Sequence, residues 1–126
     1  LATIEPDEWN RLSNQNNPFL RHEFLYGLES TNCLQPEGWM SRHITIESDG
    51  KLVAALPLYL RTNSYGEFVF DWAWADAYER AGGKYYPKLV SAIPFTPVRG
   101  QRLLIDKDFV GAHQLRKILV EQLLGY

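Results

Sequence analysis

The residues best suited to chemistry are concentrated near the middle of the chain. Residues 68–80 read FVFDWAWADAYER, in which two tryptophans alternate with small residues between two aspartates. Large aromatic side chains with a few polar groups are typical of ligand clefts. We therefore interpret Asp71 and Trp72 as cleft residues, with Asp71 as a catalytic candidate for proton handling. A core position for Trp72, with Asp71 or Asp76 capping the next helix, is about as consistent, and Trp74 is more simply explained as a core residue.

A second candidate stretch, residues 84–88 (KYYPK), carries two phenols and two ammonium groups. Such groups can hold a carboxylate or a phosphate, and a tyrosine can also relay a proton. We predict Tyr85 and Lys88 as substrate-binding residues and Tyr86 as a second catalytic candidate. The alternative is a solvated turn with one tyrosine buried.

Residues 99–102 (RGQR) form a third candidate, because two guanidinium groups flank a flexible glycine. We predict Arg99 as a substrate-binding residue, although an ordinary charged turn explains the same pattern. The sequence contains no GxSxG, HExxH, CxxC or Walker-type motif. Its three histidines are far apart in sequence, so no metal site is predicted.

The composition of the chain excludes several classes of protein and of binding partner. The 126 residues suit one domain, and the net charge of -2 with a pI near 5.9 lacks the basic footprint of a nucleic-acid binder. We therefore expect no DNA partner. One cysteine excludes an internal disulfide, which fits a cytoplasmic protein, and no apolar run is long enough to cross a membrane. The first residue is Leu, and the last residues read as part of a helix, so we expect truncation at both ends.

The elements that must position these residues follow from local patterns. Helices are predicted from Pro6 to about residue 13, from His22 to Ser30, and from Trp74 to Ala81. Alternating residues 42–47 and the apolar run 52–60 flank Asp49-Gly50, which predicts a hairpin. Pro57 cannot donate to a strand ladder, so we expect it at a bulge or an unpaired position.

The remaining pattern is less regular. We predict a third strand at residues 67–71, a short helix starting at residues 85–89, and extended segments with a turn over residues 91–105. A final helix, capped by Asp106 or Asp108, runs to the end of the chain. The fold class is therefore α/β (α+β), with a mostly antiparallel mixed sheet flanked by helices.

Several of these motifs together resemble the FemAB-like family. The chain carries NPFL at residues 17–20, SYGEFVFDWAWADAY at 64–78, YYPKL at 85–89 and IPFTPV at 93–98, in this order. The resemblance covers nearly the whole chain, and its central motif is specific because it is long and rich in tryptophan.

The resemblance implies a GNAT-like acyl-CoA N-acyltransferase fold, with residues 1–126 as one incomplete first lobe. It implies acyl or aminoacyl transfer from an activated ester or thioester to a small-molecule or peptidoglycan-precursor amine. Acyl-CoA or aminoacyl-tRNA would be the co-substrate, rather than a permanently bound cofactor. The usual Q/R-x-x-G-x-G/A donor loop is not found at residues 99–102, so the donor site is expected in a missing C-terminal lobe and the isolated fragment is expected to be inactive.

Two other functions remain open at the level of sequence. The chain could be a non-catalytic module that binds a cell-wall precursor or muropeptide. Alternatively, the aromatic motif could be only a core plug and lobe interface. An uncovered lobe interface would favour a homodimer of the isolated fragment.

Overall fold

The computed structural model describes residues 1–13, 16–65 and 71–126. This part of the chain forms the following helices and strands: α1 (Pro6–Leu12), α2 (His22–Ser30), β1 (Trp39–Ser41), β2 (Ile44–Ser48), β3 (Lys51–Leu56), β4 (Tyr59–Arg61), α3 (Trp72–Arg80), β5 (Lys88–Val90), β6 (Leu104–Ile105) and α4 (Ala112–Leu124). Two short 3-10 helices add Pro18–Leu20 and Gln35–Glu37. None of the helices in the described ranges is long and apolar enough to span a membrane.

The described strands form two small antiparallel sheets. One has the order β2-β3-β6 and the other the order β1-β4-β5. The mixed α/β class and the antiparallel pairing predicted from sequence are confirmed. The first two helices are confirmed as well, since α1 begins at Pro6 with two acids in its first turn and α2 spans the predicted residues.

The predicted hairpin is also confirmed. Ser48 pairs with Lys51 across the turn, and both turn residues have positive φ, 51° at Asp49 and 73° at Gly50. Asp and Gly are the residues that tolerate this backbone conformation at the least cost. Local turn chemistry therefore sets the pairing next to the turn, and a register shift between Ile46 and Glu47 changes it farther along β2.

The apolar run 52–60 was predicted as one strand, and this is wrong. It is divided at Pro57 into β3 and β4, which lie in different sheets. Pro57 has no N–H for a ladder, so it is unpaired as expected, and its carbonyl accepts a hydrogen bond from Ser91 Oγ at 2.8 Å. The next amide, of Leu58, donates to His43 Nδ1 at 3.1 Å instead of to a strand.

Two helix predictions near the site need correction. The short helix predicted from residues 85–89 is absent, because Lys88–Val90 pairs with β4 as strand β5. Helix α3 begins at Trp72, two residues earlier than predicted, with Asp71 at its N-cap position. The strand predicted at residues 67–71 lies, apart from Asp71, outside the described residues.

The C-terminal helix also begins later than predicted. Neither Asp106 nor Asp108 caps it, because α4 starts at Ala112 after Gly111, whose φ is 93°. The Asp106 carboxylate accepts a hydrogen bond from the Asp108 amide and forms an ion pair with Arg11, so it stabilises the turn that precedes α4. The Asp106 side chain is therefore engaged before the helix and does not cap it.

Strand β3 is the centre of the core, and all but its first residue are buried. One apolar cluster joins it to α1 and α2 and comprises Trp9, Leu12, Leu20, Leu25, Leu52, Ala55, Ile93 and Leu104. A second joins it to α4 and comprises Val53, Ala54, Leu56, Leu58, Leu115 and Leu119. These clusters hold the β2-β3-β6 sheet in place. After β3 the chain leaves this sheet and enters the other one as β4.

Candidate functional site

A cluster of polar side chains forms where the pairing of β4 with β5 brings distant segments together. Arg61 of β4 lies opposite Lys88 of β5, so the residues just after β4 approach those just before and within β5. Asp71, at the start of α3, joins them. We call Ser64, Asp71, Tyr85, Tyr86 and Lys88 the Asp71 cluster.

Three donors converge on the Asp71 carboxylate. Its Oδ1 accepts a hydrogen bond of 2.5 Å from Ser64 Oγ. Its Oδ2 accepts a hydrogen bond of 2.5 Å from the Tyr85 hydroxyl and forms an ion pair with the Lys88 ammonium group. Only 18% of each of the two charged side chains is exposed, so this pair is shielded from most of the solvent.

The hydroxyl of Ser64 links the carboxylate to Tyr86. Since Ser64 has a single hydroxyl proton and donates it to Asp71, the hydrogen bond between Ser64 and Tyr86 must be donated by Tyr86. Lys88 Nζ is a further donor to Ser64 Oγ, at 3.3 Å. The chain of donors thus runs from Tyr86 through Ser64 to Asp71, and the Tyr86 oxygen retains acceptor capacity for another group.

The electrostatic state of Asp71 follows from these partners. Burial raises the pKa of its carboxyl group, but the hydrogen bonds from Lys88, Ser64 and Tyr85 and the charge of Lys88 outweigh burial and lower the pKa to about 2. The carboxylate is therefore ionised at neutral pH and is a weak base. It is better suited to holding its donors in place than to removing a proton by itself.

Aromatic rings surround the cluster. The centroids of Tyr85 and Tyr86 are 5.0 Å apart in an edge-to-face arrangement, and those of Tyr78 and Tyr85 are 6.1 Å apart. Lys88 Nζ lies 5.2 Å from the Tyr85 ring centroid and 5.5 Å from that of Tyr86. These contacts restrict both phenols and place a cation over their electron-rich faces.

Asp71 also borders a pocket of about 470 Å³. The remaining lining residues are mostly apolar and come from the end of β5 and the segment after it, namely Val90, Ala92, Ile93, Phe95, Thr96, Pro97 and Val98, together with Trp39, Arg99 and Arg102. Pockets of this size and character commonly hold small molecules. The Asp71 cluster thus meets a mostly apolar pocket whose lining includes two arginines.

The structure brings most of the predicted site residues together. Asp71, Tyr85, Tyr86 and Lys88 share the cluster, and Arg99 lines the adjoining pocket. Trp72 is 56% exposed and is not among the lining residues of that pocket. Its side chain makes a ring contact with Tyr65, with centroids 6.2 Å apart.

Trp74 was interpreted as a core residue, and this is wrong. Its side chain lies on α3 and is 75% exposed. The helix buries Ala75 alone among its residues, because α3 lies at the edge of the fold and its other side chains face outward. An aromatic sequence motif could not show which of its rings the fold would cover.

Sequence reasoning missed Ser64 and Trp39 as site residues. Ser64 is 3% exposed and joins the two catalytic candidates, Asp71 and Tyr86. Its position at the start of the tryptophan-rich motif was the available signal. Trp39 lies far from that motif in sequence and enters the pocket wall through β1, so no local pattern marked it.

Fold and site together define a mixed α/β protein with a shielded polar cluster beside an apolar pocket. The FemAB-like family model, described as peptidoglycan biosynthesis/recognition, matches residues 1–125. The chain therefore belongs to the FemAB-like family, and the resemblance seen in its motifs is confirmed. No curated protein and no solved structure matches the chain significantly.

Proposed function

We propose that this chain forms the amine-acceptor part of an N-acyltransferase that acts in peptidoglycan-related metabolism. The observation that carries the proposal is the Asp71 cluster at the edge of the apolar pocket. Membership in a family of peptidoglycan biosynthesis or recognition supports this choice of pathway. In the reaction, the amine nitrogen bonds to the acyl carbon of an ester or thioester, the carbon–oxygen or carbon–sulfur bond breaks, and the amine gives up one proton.

Nearby positive charge would help to produce the nucleophile. An amine attacks only in its neutral form, and cations close to it lower its pKa because they disfavour the ammonium form. The two arginines of the pocket, Arg99 and Arg102, would supply this field, because the charge of Lys88 is offset by its ion pair with Asp71. A bound amine would therefore be deprotonated at lower pH than in water.

Tyr86 is the proposed contact for the amine. Its hydroxyl donates to Ser64, so the same oxygen can accept an N–H hydrogen bond from the substrate and orient the lone pair of the nitrogen. The series Tyr86, Ser64, Asp71 then fixes the direction of the Tyr86 hydroxyl, and the proton released by the amine passes to the oxygen or sulfur of the leaving group. The pKa of about 2 suits Asp71 to anchoring this series rather than to starting it.

We propose further that this chain has a GNAT-like fold and forms one lobe of the enzyme. A GNAT-like lobe is compatible with two antiparallel sheets and flanking helices. The proposed donor is acyl-CoA or aminoacyl-tRNA, and residues 99–102 lack the donor loop of such folds. The donor would therefore bind to a second lobe of the full-length protein, and transfer would occur between the lobes.

The test compares two cluster variants with two surface variants in the full-length protein. Asp71→Asn removes the charge that holds three donors, and Tyr86→Phe removes the proposed amine contact. We expect each to lower the rate of acyl transfer by about 10²-fold or more, which is the usual scale for groups that move or orient a reacting proton. Asp76→Asn and Tyr126→Phe are the matched controls, because both side chains are exposed.

Rates are measured with acyl-CoA and aminoacyl-tRNA donors and a panel of muropeptide amines. Full activity in both cluster variants would refute the assigned roles. Equal losses in the controls would show that the losses are not specific to the cluster.

A second candidate function is a binding module for a cell-wall precursor or muropeptide. The observation that favours it is the low pKa of Asp71, which makes this carboxylate a weak base and suits recognition without proton transfer. Muropeptide binding by the full-length protein, with no turnover of either donor, would select this function. Loss of that binding in Asp71→Asn but not in Asp76→Asn would assign it to the same site.

A further inference from the structure

The pocket beside Asp71 carries more positive charge than its own residues neutralise. Asp71 is the one carboxylate among the described residues that line it, and this carboxylate is already paired with Lys88. Arg99 and Arg102 also line the pocket, and within the described ranges neither has a carboxylate partner at ion-pair distance. Arg102 donates only to backbone carbonyls there, including those of Val98 and Gly100 at 3.4 and 3.3 Å.

The loop that carries the two arginines is held in place. Asn17 Nδ2 donates to the carbonyl of Arg99 at 3.3 Å, and Asn17 itself caps the short helix that starts at Pro18. A Cβ added at Gly100 would lie 2.6 Å from the same Asn17 nitrogen, so a larger residue there would displace the Asn17 amide. The guanidinium groups therefore project from an anchored segment rather than from a free turn.

The wall between these charges is apolar. Ile93, Phe95 and Val98 line it, and Trp39 packs against Phe95 with ring centroids 5.8 Å apart. Trp39 Nε1 is buried without a hydrogen-bond partner among the described residues. Because the Trp39 side chain is buried, it is a fixed part of this wall.

We infer that this pocket binds an amphiphilic anion, whose apolar body lies along residues 90–98 and whose carboxylate or phosphate contacts Arg99 and Arg102. Guanidinium groups match both anions through paired hydrogen bonds, and the apolar wall offers a surface for the rest of the ligand. The inference rests on the proposed function at one point: the carboxylate or phosphate would belong to the same molecule as the acceptor amine. It concerns recognition and can be tested without turnover.

The test uses three probes with the same alkyl chain: octanoate, octyl phosphate and neutral 1-octanol. Binding to the full-length protein is measured by calorimetry at low and high salt. We expect octanoate and octyl phosphate to bind about tenfold or more tightly than octanol, with a preference that shrinks as salt rises. The stronger of the two anions identifies the headgroup as carboxylate or phosphate.

Variants assign the preference to the arginines. Arg99→Gln should reduce the affinity for the preferred anion about tenfold and leave octanol unchanged, whereas Arg99→Lys should retain part of the preference. Arg99 is exposed, so its replacement leaves the packing intact. Arg102→Gln is expected to act in the same way, and Arg80→Gln, on the exposed part of α3, is the matched control.

The inference is overturned if octanol binds as well as the anions, if no probe binds, or if Arg80→Gln weakens binding as much as Arg99→Gln. The proposed function fails separately. Intact anion preference without acyl transfer would count against the transferase alone, and acyl transfer without anion preference would count against this inference alone.

Discussion

Asp71 differs from an ordinary surface carboxylate in how fully its oxygens are used. It accepts from Ser64, Tyr85 and Lys88, so rotation of its side chain would break three interactions at once. Such saturation costs conformational freedom and gives a rigid group in return. We regard Asp71 as the residue that fixes the positions of the other members of the cluster.

The depressed pKa of Asp71 predicts a pH dependence of stability. The folded-state pKa is about 2 and the ordinary value is 3.8, so the contribution of the ionised group is fully present above about pH 4 and is lost as the pH falls toward 2. We expect the Tm difference between wild type and Asp71→Asn to be largest near neutral pH and to shrink through this window. Thermal unfolding from pH 2 to 7 checks this, with Asp76→Asn as control. A difference that is constant across the window would contradict the assignment.

Only part of the cluster could be predicted from sequence at this scale. Asp71, Tyr85, Tyr86 and Lys88 were recognised because acids, phenols and amines stand near an aromatic motif. Ser64 was not, since a serine has no distinguishing pattern until its partners are known. Its burial and its two side-chain partners result from chain segments that meet only in the fold.

At the scale of elements, one close approach helps to set the position of α3. The helix buries little besides Ala75, so few contacts hold it. Tyr78 on its last turn packs so closely over Gly83 that a Cβ there would overlap its ring. The same ring contacts Tyr85, so Gly83 connects the placement of α3 to the Asp71 cluster.

Two glycine replacements test this packing. Gly83→Ala should destabilise the fold by about 1–3 kcal/mol, because the methyl group displaces Tyr78. Gly27→Ala is the matched control: nothing lies within 4 Å of its Cβ position in α2, so we expect a gain of up to about 1 kcal/mol from helix propensity. Urea unfolding measures both free energies. Equal changes in the free energy of unfolding would show that the Tyr78 contact does not contribute to stability.

The elements themselves were predicted with uneven success, and the reason is visible in β5. Residues 85–89 have a local pattern compatible with a short helix, yet residues 88–90 pair with β4. A three-residue strand is stabilised by its ladder partner rather than by its own propensity. The hairpin at Asp49 and Gly50 was predictable because its turn is specified by adjacent residues.

At the scale of the molecule, Arg11 connects parts of the chain that are far apart in sequence. Its guanidinium donates to the Asp106 carboxylate at 2.6 Å and to the carbonyl of Leu52 at 2.6 Å. The first contact spans 95 positions, and the second reaches the central strand β3. The Arg11 side chain therefore connects the N-terminal helix to the central sheet and to the segment before α4.

Removing this side chain should lower the stability of the whole fold. For Arg11→Met we expect a loss of about 2–4 kcal/mol, because a nearly buried carboxylate and a strand carbonyl each lose a charged donor. Arg80→Met removes an exposed pair with Asp76 and should change stability by less than about 0.5 kcal/mol. Denaturant unfolding gives both values. A double-mutant cycle with Asp106→Asn should recover a coupling energy, and additive effects would contradict the proposed link.

The sequence by itself determined the features that depend on neighbours along the chain. These are the two N-terminal helices, the hairpin turn, the unpaired state of Pro57 and the family, which its motifs identify directly. Capping, helical spacing and turn conformation act over a few residues, so their signals are complete within a short window.

Only the tertiary structure decided how the candidate site is assembled. The pairing of β4 with β5 brings Ser64 to Tyr86 across 22 positions, and the split at Pro57 sends the chain from one sheet to the other. The same fold leaves Trp74 outside the core and places Trp39 in the pocket wall. These outcomes depend on which distant surfaces pack together, and a contact between distant segments has no signature in either segment alone.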